Sequence, residues 1–175
     1  QLCNELYSYS YITELGQKLT ISGSVKFNNK LVLASNIGIG YYENEKINFV
    51  SNPLVKNKNI NGLMRYRNNF VFSSAEGELF QSDTLFKKIL RIPLKTGNQK
   101  LIINSLVSDA EHLLICTTSG LYVIDPDKFS YDLFNTESGL LHNNVKFVYS
   151  DSKKHLWVCS PGTLIYYLDN FKDIT

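Results

Sequence analysis

Short runs in which every residue is apolar recur along the chain between turn-forming residues: Leu31 to Ala34, Phe70 to Phe72, Leu113 to Cys116 and Leu156 to Cys159. An amphipathic helix would repeat its apolar residues with a period near 3.6, and a half-exposed strand would alternate. Unbroken runs this short instead predict strands covered on both faces. Each run opens a longer segment: "KLVLASNIGIGYYE" from Lys30, "NFVFSSAEGELFQSD" from Asn69, "HLLICTTSGLYVIDPD" from His112 and "HLWVCSPGTLIYYLD" from His155. The leading positions Leu31, Phe70, Leu113 and Leu156 are 39, 43 and 43 residues apart, and a glycine follows seven residues later at Gly38, Gly77 and Gly120, and six later at Gly162.

The segments have matching lead-ins, "ISGSVKF" from Ile21, "INGLMRY" from Ile60, "INSLVSD" from Ile103 and "VKFVYSD" from Val145, and are followed by alternating runs such as "KINFV" from Lys46 and "KFSYDLF" from Lys128. Four short strands per unit at a period of about 40 residues predict an all-β chain, a β-propeller of four four-stranded antiparallel blades. Stacked blades hide both faces of their second strands, which explains the unbroken runs. The blades fall near residues 21–52, 60–92, 102–135 and 144–175, with 1–20 as a preceding strand or lead-in. The glycines mark the turns between second and third strands, where a residue able to take positive φ reverses the chain. Helical repeats are excluded by the frequency of Gly, Asn, Pro and Ser; "SDTLFKKILR" from Ser82 reads as a turn entering an outer strand. An unclosed arc would leave a bare apolar face at each end, so the chain is expected to be part of a larger propeller, partnered by remaining blades or by a second copy.

Composition narrows the function. The 18 Lys and Arg against 16 Asp and Glu are interspersed, which gives no footprint for nucleic acid. No apolar run approaches a membrane span, and any membrane attachment would come through a longer parent chain. No signal peptide is visible in the first residues. Cys3, Cys116 and Cys159 are an odd number without metal-ligand spacing and read as small buried residues, so neither a metal nor a cofactor is expected.

The fourth repeat resembles the two-component regulator propeller repeat. The match is carried by Gly139, Leu140, Asn143, Val145, Asp151, Leu156, Trp157, Gly162, Tyr167 and Asp169, and in the third repeat by Asp109, Leu113, Thr117, Gly120, Leu121 and Asp125. Cys116 and Cys159 stand where the family usually has glycine, and the first two repeats lack the Trp and the strand-ending Asp. The resemblance implies the periplasmic or extracellular sensor region of a hybrid two-component system, associated with detecting glycan fragments, in ectodomains with many more repeats. It implies signal transmission and no catalysis in this region.

Asp109 and Asp151 end the first strand of their blades, a repeated position that reads as a turn cap rather than a catalytic acid. His112 and His155 share a register position and read as turn residues. Trp157 reads as core between blades. "SDSKKHLW" from Ser150 departs from the sialidase Asp-box in its Asp position and its missing glycine. No catalytic residue is assigned. Ligands of propellers bind where interblade loops and second-to-third-strand turns gather on one face. That face would present Asn36, Glu76, Arg91, Ser119, His142, Asn143 and Asn144 to an oligosaccharide, with Lys56 and Lys58 nearby. The rival readings are a glycan-cleaving propeller enzyme and a protein-binding scaffold.

Overall fold

The computed structural model describes residues 18–95, 100–109, 112–125, 128, 130–153, 155–162 and 164–168. Its strands form four antiparallel sheets in chain order. Blade 1 comprises β1 (Ile21–Phe27), β2 (Lys30–Ser35), β3 (Gly38–Glu43) and β4 (Lys46–Phe49). Blade 2 comprises β5 (Ile60–Tyr66), β6 (Asn69–Ser74), β7 (Leu79–Asp83) and β8 (Ile89–Ile92). Blade 3 comprises β9 (Ile103–Ser108), β10 (Leu113–Thr117), β11 (Gly120–Asp125) and β12 (Ser130–Phe134). Blade 4 comprises β13 (Phe147–Ser150), β14 (Leu156–Ser160) and β15 (Leu164–Leu168), and the residues expected to form its outer strand, 169–175, lie outside the described residues, as do Cys3 and the expected lead-in strand up to residue 17. No helix is long and apolar enough to cross a membrane among the described residues.

Every sheet pairs consecutive strands, so the local hairpin builds the blade. The turns follow from their residues: Asn28, Arg67 and the pair Asn44 and Glu45 take positive φ, the conformation that matches a tight turn to the twist of its strands. The "SDTLFKKILR" stretch is a turn as expected. The Asp83 carboxylate accepts the amides of Leu85, Lys87 and Lys88, and Phe86, at φ 54°, turns inward to stack on Phe70 with ring centroids 5.2 Å apart.

Burial accounts for the unbroken apolar runs. Strands β6 and β10 are closed to water on both faces, because each joins two cores. Phe70 and Phe72 pack with Val32, Ala34 and Ile39 between blades 1 and 2; Val71 and Leu79 pack with Leu113, Ile115 and Tyr122 between blades 2 and 3; Leu114, Cys116 and Leu121 pack with Val148, Leu156 and Val158 between blades 3 and 4. Strand β14, the second strand of the last described blade, behaves differently. Leu156, Val158 and Ser160 are buried, Trp157 is exposed and Cys159 is half-buried, so only one face is covered. Trp157 is therefore not enclosed between blades, contrary to the expectation, since no following blade lies against it among the described residues. Cys116 is buried and inert, its thiol pushed up to about 11 chiefly by desolvation.

Polar contacts tie the inner strands across the joints. Asn104 Nδ2 donates to the Val145 carbonyl at 2.7 Å and Ser105 Oγ to the Lys146 carbonyl at 2.9 Å. Arg65 lies 4.9 Å from the centre of the Phe27 ring.

Candidate functional site

The turns between second and third strands and the interblade loops gather on one rim. They are held there by apolar plugs, with Val55, Leu101, Leu140 and Val145 all buried below the loops. In the loop from blade 3 to blade 4, Asn135 caps a single 3-10 turn, Thr136–Ser138: its Oδ1 accepts the amides of Glu137 and Ser138, and Ser138 Oγ accepts the Asn135 amide at 2.7 Å. Gly139, at φ 101°, ends the turn.

Several expected contact residues are occupied in holding this rim. Asn36 clips the chain entering blade 1, accepting the Thr20 amide at 2.9 Å and donating to the Lys18 carbonyl at 3.0 Å. Asn143 Oδ1 accepts the Thr136 amide at 2.7 Å, and Asn144 Oδ1 accepts from Asn104 Nδ2 at 3.1 Å. His142 is exposed, and its Nδ1 accepts the Asn144 amide at 3.0 Å. Ser119 is half-buried in a turn whose amide donates to Thr117 Oγ1 at 3.0 Å.

Glu76 and Arg91 are brought together. They line a cleft of about 430 Å³ between the β6–β7 turn and the loop from blade 2 to blade 3, with Glu78, Pro93, Lys100 and Leu101 also on its wall. This is within the range of small-ligand pockets. Glu78 organises the charges: Lys58 Nζ donates to Oε2, which Ser74 Oγ also approaches at 3.3 Å, and Arg91 Nη1 lies 3.5 Å from Oε1. Partial burial raises the Glu78 carboxyl, but the Lys58 hydrogen bond and charge, the Arg91 charge and the Ser74 hydroxyl together outweigh it and hold the group below its ordinary value. The carboxylate is thus ionised and committed to Lys58, while the Arg91 side chain, 62% exposed, lines the cleft.

Glu78 and Lys100 were not among the expected contacts. The signal for Glu78 is a break in register. Ile39 and Leu121 directly follow their turn glycines, whereas in the second repeat Glu78 stands between Gly77 and Leu79. Pairing confirms the extra turn residue, since Ala34 faces Ile39 and Cys116 faces Leu121, but Ser73 faces Leu79. The longer turn places a carboxylate at the rim.

Asp109 and Asp151 are caps, as expected. Asp109 Oδ1 accepts the His112 amide, with His112 Nδ1 3.3 Å from Oδ2. Asp151 Oδ1 accepts the amides of Lys153 and His155, and Oδ2 takes the Trp157 indole N–H at 3.0 Å and lies 2.9 Å from His155 Nδ1. The indole bond, with the His155 and Lys153 contacts, lowers the Asp151 carboxyl to about 2. A lowered carboxylate stabilises the fold above its unfolded pKa of about 3.9, and that contribution is lost as pH falls through about 2. Trp157 is the one tryptophan of the chain, so its fluorescence should change with a midpoint near pH 2. The substitution Asp151→Asn should abolish that step, and a midpoint near 4, the ordinary carboxylate value, would contradict the cap geometry. Among the described residues no three His, Cys, Asp or Glu side chains gather as metal ligands.

No protein-family model matches the sequence, and no curated protein matches it. Solved structures do. The extracellular domain of the putative hybrid two component system BT3049 from B. thetaiotaomicron is 23% identical with a TM-score of 0.72, over 86% of this chain and 21% of that one. The chain therefore spans about a fifth of that extracellular domain. The computationally designed Ika4 protein is 11% identical with a TM-score of 0.65, over 93% of this chain and 98% of that one. Virginiamycin B lyase from Staphylococcus aureus is 13% identical with a TM-score of 0.56, over 91% of this chain and 61% of that one. An extracellular domain of a two component system, a designed protein and a lyase share this architecture, and likeness at such identity speaks to fold and not to activity. The chain has the blade architecture of a β-propeller and corresponds to a portion of a larger propeller protein such as the BT3049 ectodomain.

Proposed function

We propose that this chain is a ligand-sensing, non-catalytic portion of an extracytoplasmic propeller in a two-component sensor, and that its ligand is an oligosaccharide bound at the rim cleft. The observation that carries the reading is the Glu76, Glu78 and Arg91 cleft, where the second repeat has one more turn residue than the first and third. Residues repeated in register build the blade; a departure on the ligand-binding rim is free to serve recognition. The repeat resemblance and the likeness to an extracellular sensor domain support the sensor role.

The cleft wall has aliphatic rather than aromatic residues beside its charges, so recognition rests on hydrogen bonds and charge, not on ring stacking. With Lys58, Arg91 and Lys100 against Glu76 and Glu78, the balance favours an acidic sugar, whose carboxylate the Arg91 fork can take bidentately. Calorimetry against acidic and neutral oligosaccharides should find acidic ones tighter. Arg91→Ala should weaken binding about 10- to 100-fold, the worth of a charge-assisted hydrogen bond. Absence of binding to every oligosaccharide, or binding indifferent to Arg91→Ala, would refute this site; new reducing ends on incubation would indicate a glycan-cleaving enzyme instead.

A further inference from the structure

The rim opposite the cleft carries the turns that join first to second and third to fourth strands, and blade 2 differs there from blade 1. Two residues, 44–45, join β3 to β4, whereas five, 84–88, join β7 to β8. The longer turn brings two large apolar residues to the rim. Phe86 is buried against Phe70 with its backbone at φ 54°, a conformation that bulky residues seldom take, and Leu85 beside it is 70% exposed. Between this turn and blade 1 lies a second cavity, of about 170 Å³, walled chiefly by Phe27, Val32, Tyr41, Leu85 and Phe86, with Lys30 among its polar residues.

Size and charge together select an occupant. Small-ligand pockets span ~300–1,000 Å³, and an apolar cavity of ~150 Å³ takes a single benzene ring. The notch therefore accepts one ring-sized apolar group. Its surroundings extend further than such a group reaches, because most of Leu85 stands in solvent and the exposed Lys87 and Lys88 continue the same turn. Arg65, also exposed, lies 4.9 Å from the centre of the Phe27 ring that forms one wall. Lys30 is matched by Glu43 at 3.0 Å, but Arg65, Lys87 and Lys88 outnumber the one carboxylate of the turn, Asp83. Of the other charges at this end of blades 1 and 2, Glu45 and Lys46 offset each other, and Lys26 and Arg67 add to the positive excess. An apolar notch of side-chain size amid surplus cations fits an extended acidic peptide that inserts one aromatic residue and lays its carboxylates on the cations. A bilayer would call for a broader apolar face than one leucine.

We propose that the notch between the β1–β2 and β7–β8 turns is a docking site for an acidic peptide segment of a partner protein, which seats one aromatic side chain among Phe27, Tyr41 and Phe86. The site is built by blades 1 and 2 alone, so it is independent of what completes the propeller and of what the rim cleft binds. Fluorescence anisotropy of the labelled peptide EDEFEDE, titrated with the full chain, should show saturable binding that raised salt weakens. The peptide EDEAEDE, which lacks the ring, should bind at least ~10-fold more weakly, as expected when one buried aromatic side chain is lost. KRKFKRK, with the charges reversed, should also bind at least ~10-fold more weakly. Leu85→Glu and the double substitution Lys87→Glu with Lys88→Glu, all at exposed positions, should each weaken EDEFEDE binding at least ~10-fold, with unchanged circular dichroism showing that the variants fold. Leu54→Glu, 42% exposed in the loop from blade 1 to blade 2, should leave binding unchanged. No saturable binding, equal binding of EDEFEDE and EDEAEDE, or binding indifferent to both the Leu85 and the lysine variants would overturn the proposal. It would also be overturned if free phenylacetate bound as tightly as the peptide, which would make a small aromatic acid the occupant, or if phosphatidylserine vesicles bound and the peptide did not.

Discussion

Gly120→Ala should destabilise the protein by about 2–6 kcal/mol, the sum of a strained backbone at ~1–3 kcal/mol and an overpacked contact at ~1–3 kcal/mol. Gly120 has φ 133°, and a Cβ there would sit 2.2 Å from the Phe134 carbonyl oxygen and 2.9 Å from a Leu133 methyl. The oxygen belongs to backbone at the end of β12, so it yields only by disrupting the sheet edge. Two other glycines separate the contributions. Gly162 has φ 83° but open space around it, so Gly162→Ala incurs the backbone term alone, about 1–2 kcal/mol. Gly23 has neither a positive φ nor a neighbour within 4 Å, and its substitution should stay within about 0.5 kcal/mol. Urea unfolding followed by circular dichroism gives all three values. Equal losses at Gly120 and Gly162 would mean that the close approach contributes nothing.

The glycines also show how far the sequence could be read. Their spacing from the apolar anchors located each turn, and all four take positive φ as a tight reversal requires. Spacing could not show why Gly38 and Gly77 tolerate no side chain: their missing Cβ atoms would meet the carbonyl oxygens of Val55 and Leu101, in loops entering from the next blade. That constraint exists only once blades are stacked. Glu78 was hidden for a related reason. The distance from anchor to glycine is seven residues in the first three repeats, so counting to the glycine conceals the extra residue after it. Only strand pairing reveals the longer turn. The Asp109 and Asp151 caps were legible because their partners lie within six residues along the chain. Trp157 was misread because a repeat pattern describes an interior blade, and it sits on the terminal one. Of the expected rim residues, Asn36 and Asn143 hold loop backbone, a use that a sequence cannot distinguish from ligand contact when both call for the same amide.

Leu113→Ala and Leu31→Ala test the stacked architecture directly, because the two leucines occupy the same register position in different blades. Leu113 is fully buried between blades 2 and 3, and its truncation leaves a cavity that costs about 2–5 kcal/mol. Leu31 has no described blade in front of it, and the same truncation in the single chain should cost less than about 1 kcal/mol. If the four sheets packed by some route other than face to face in series, register would not predict this difference, and similar losses at the two sites would show it.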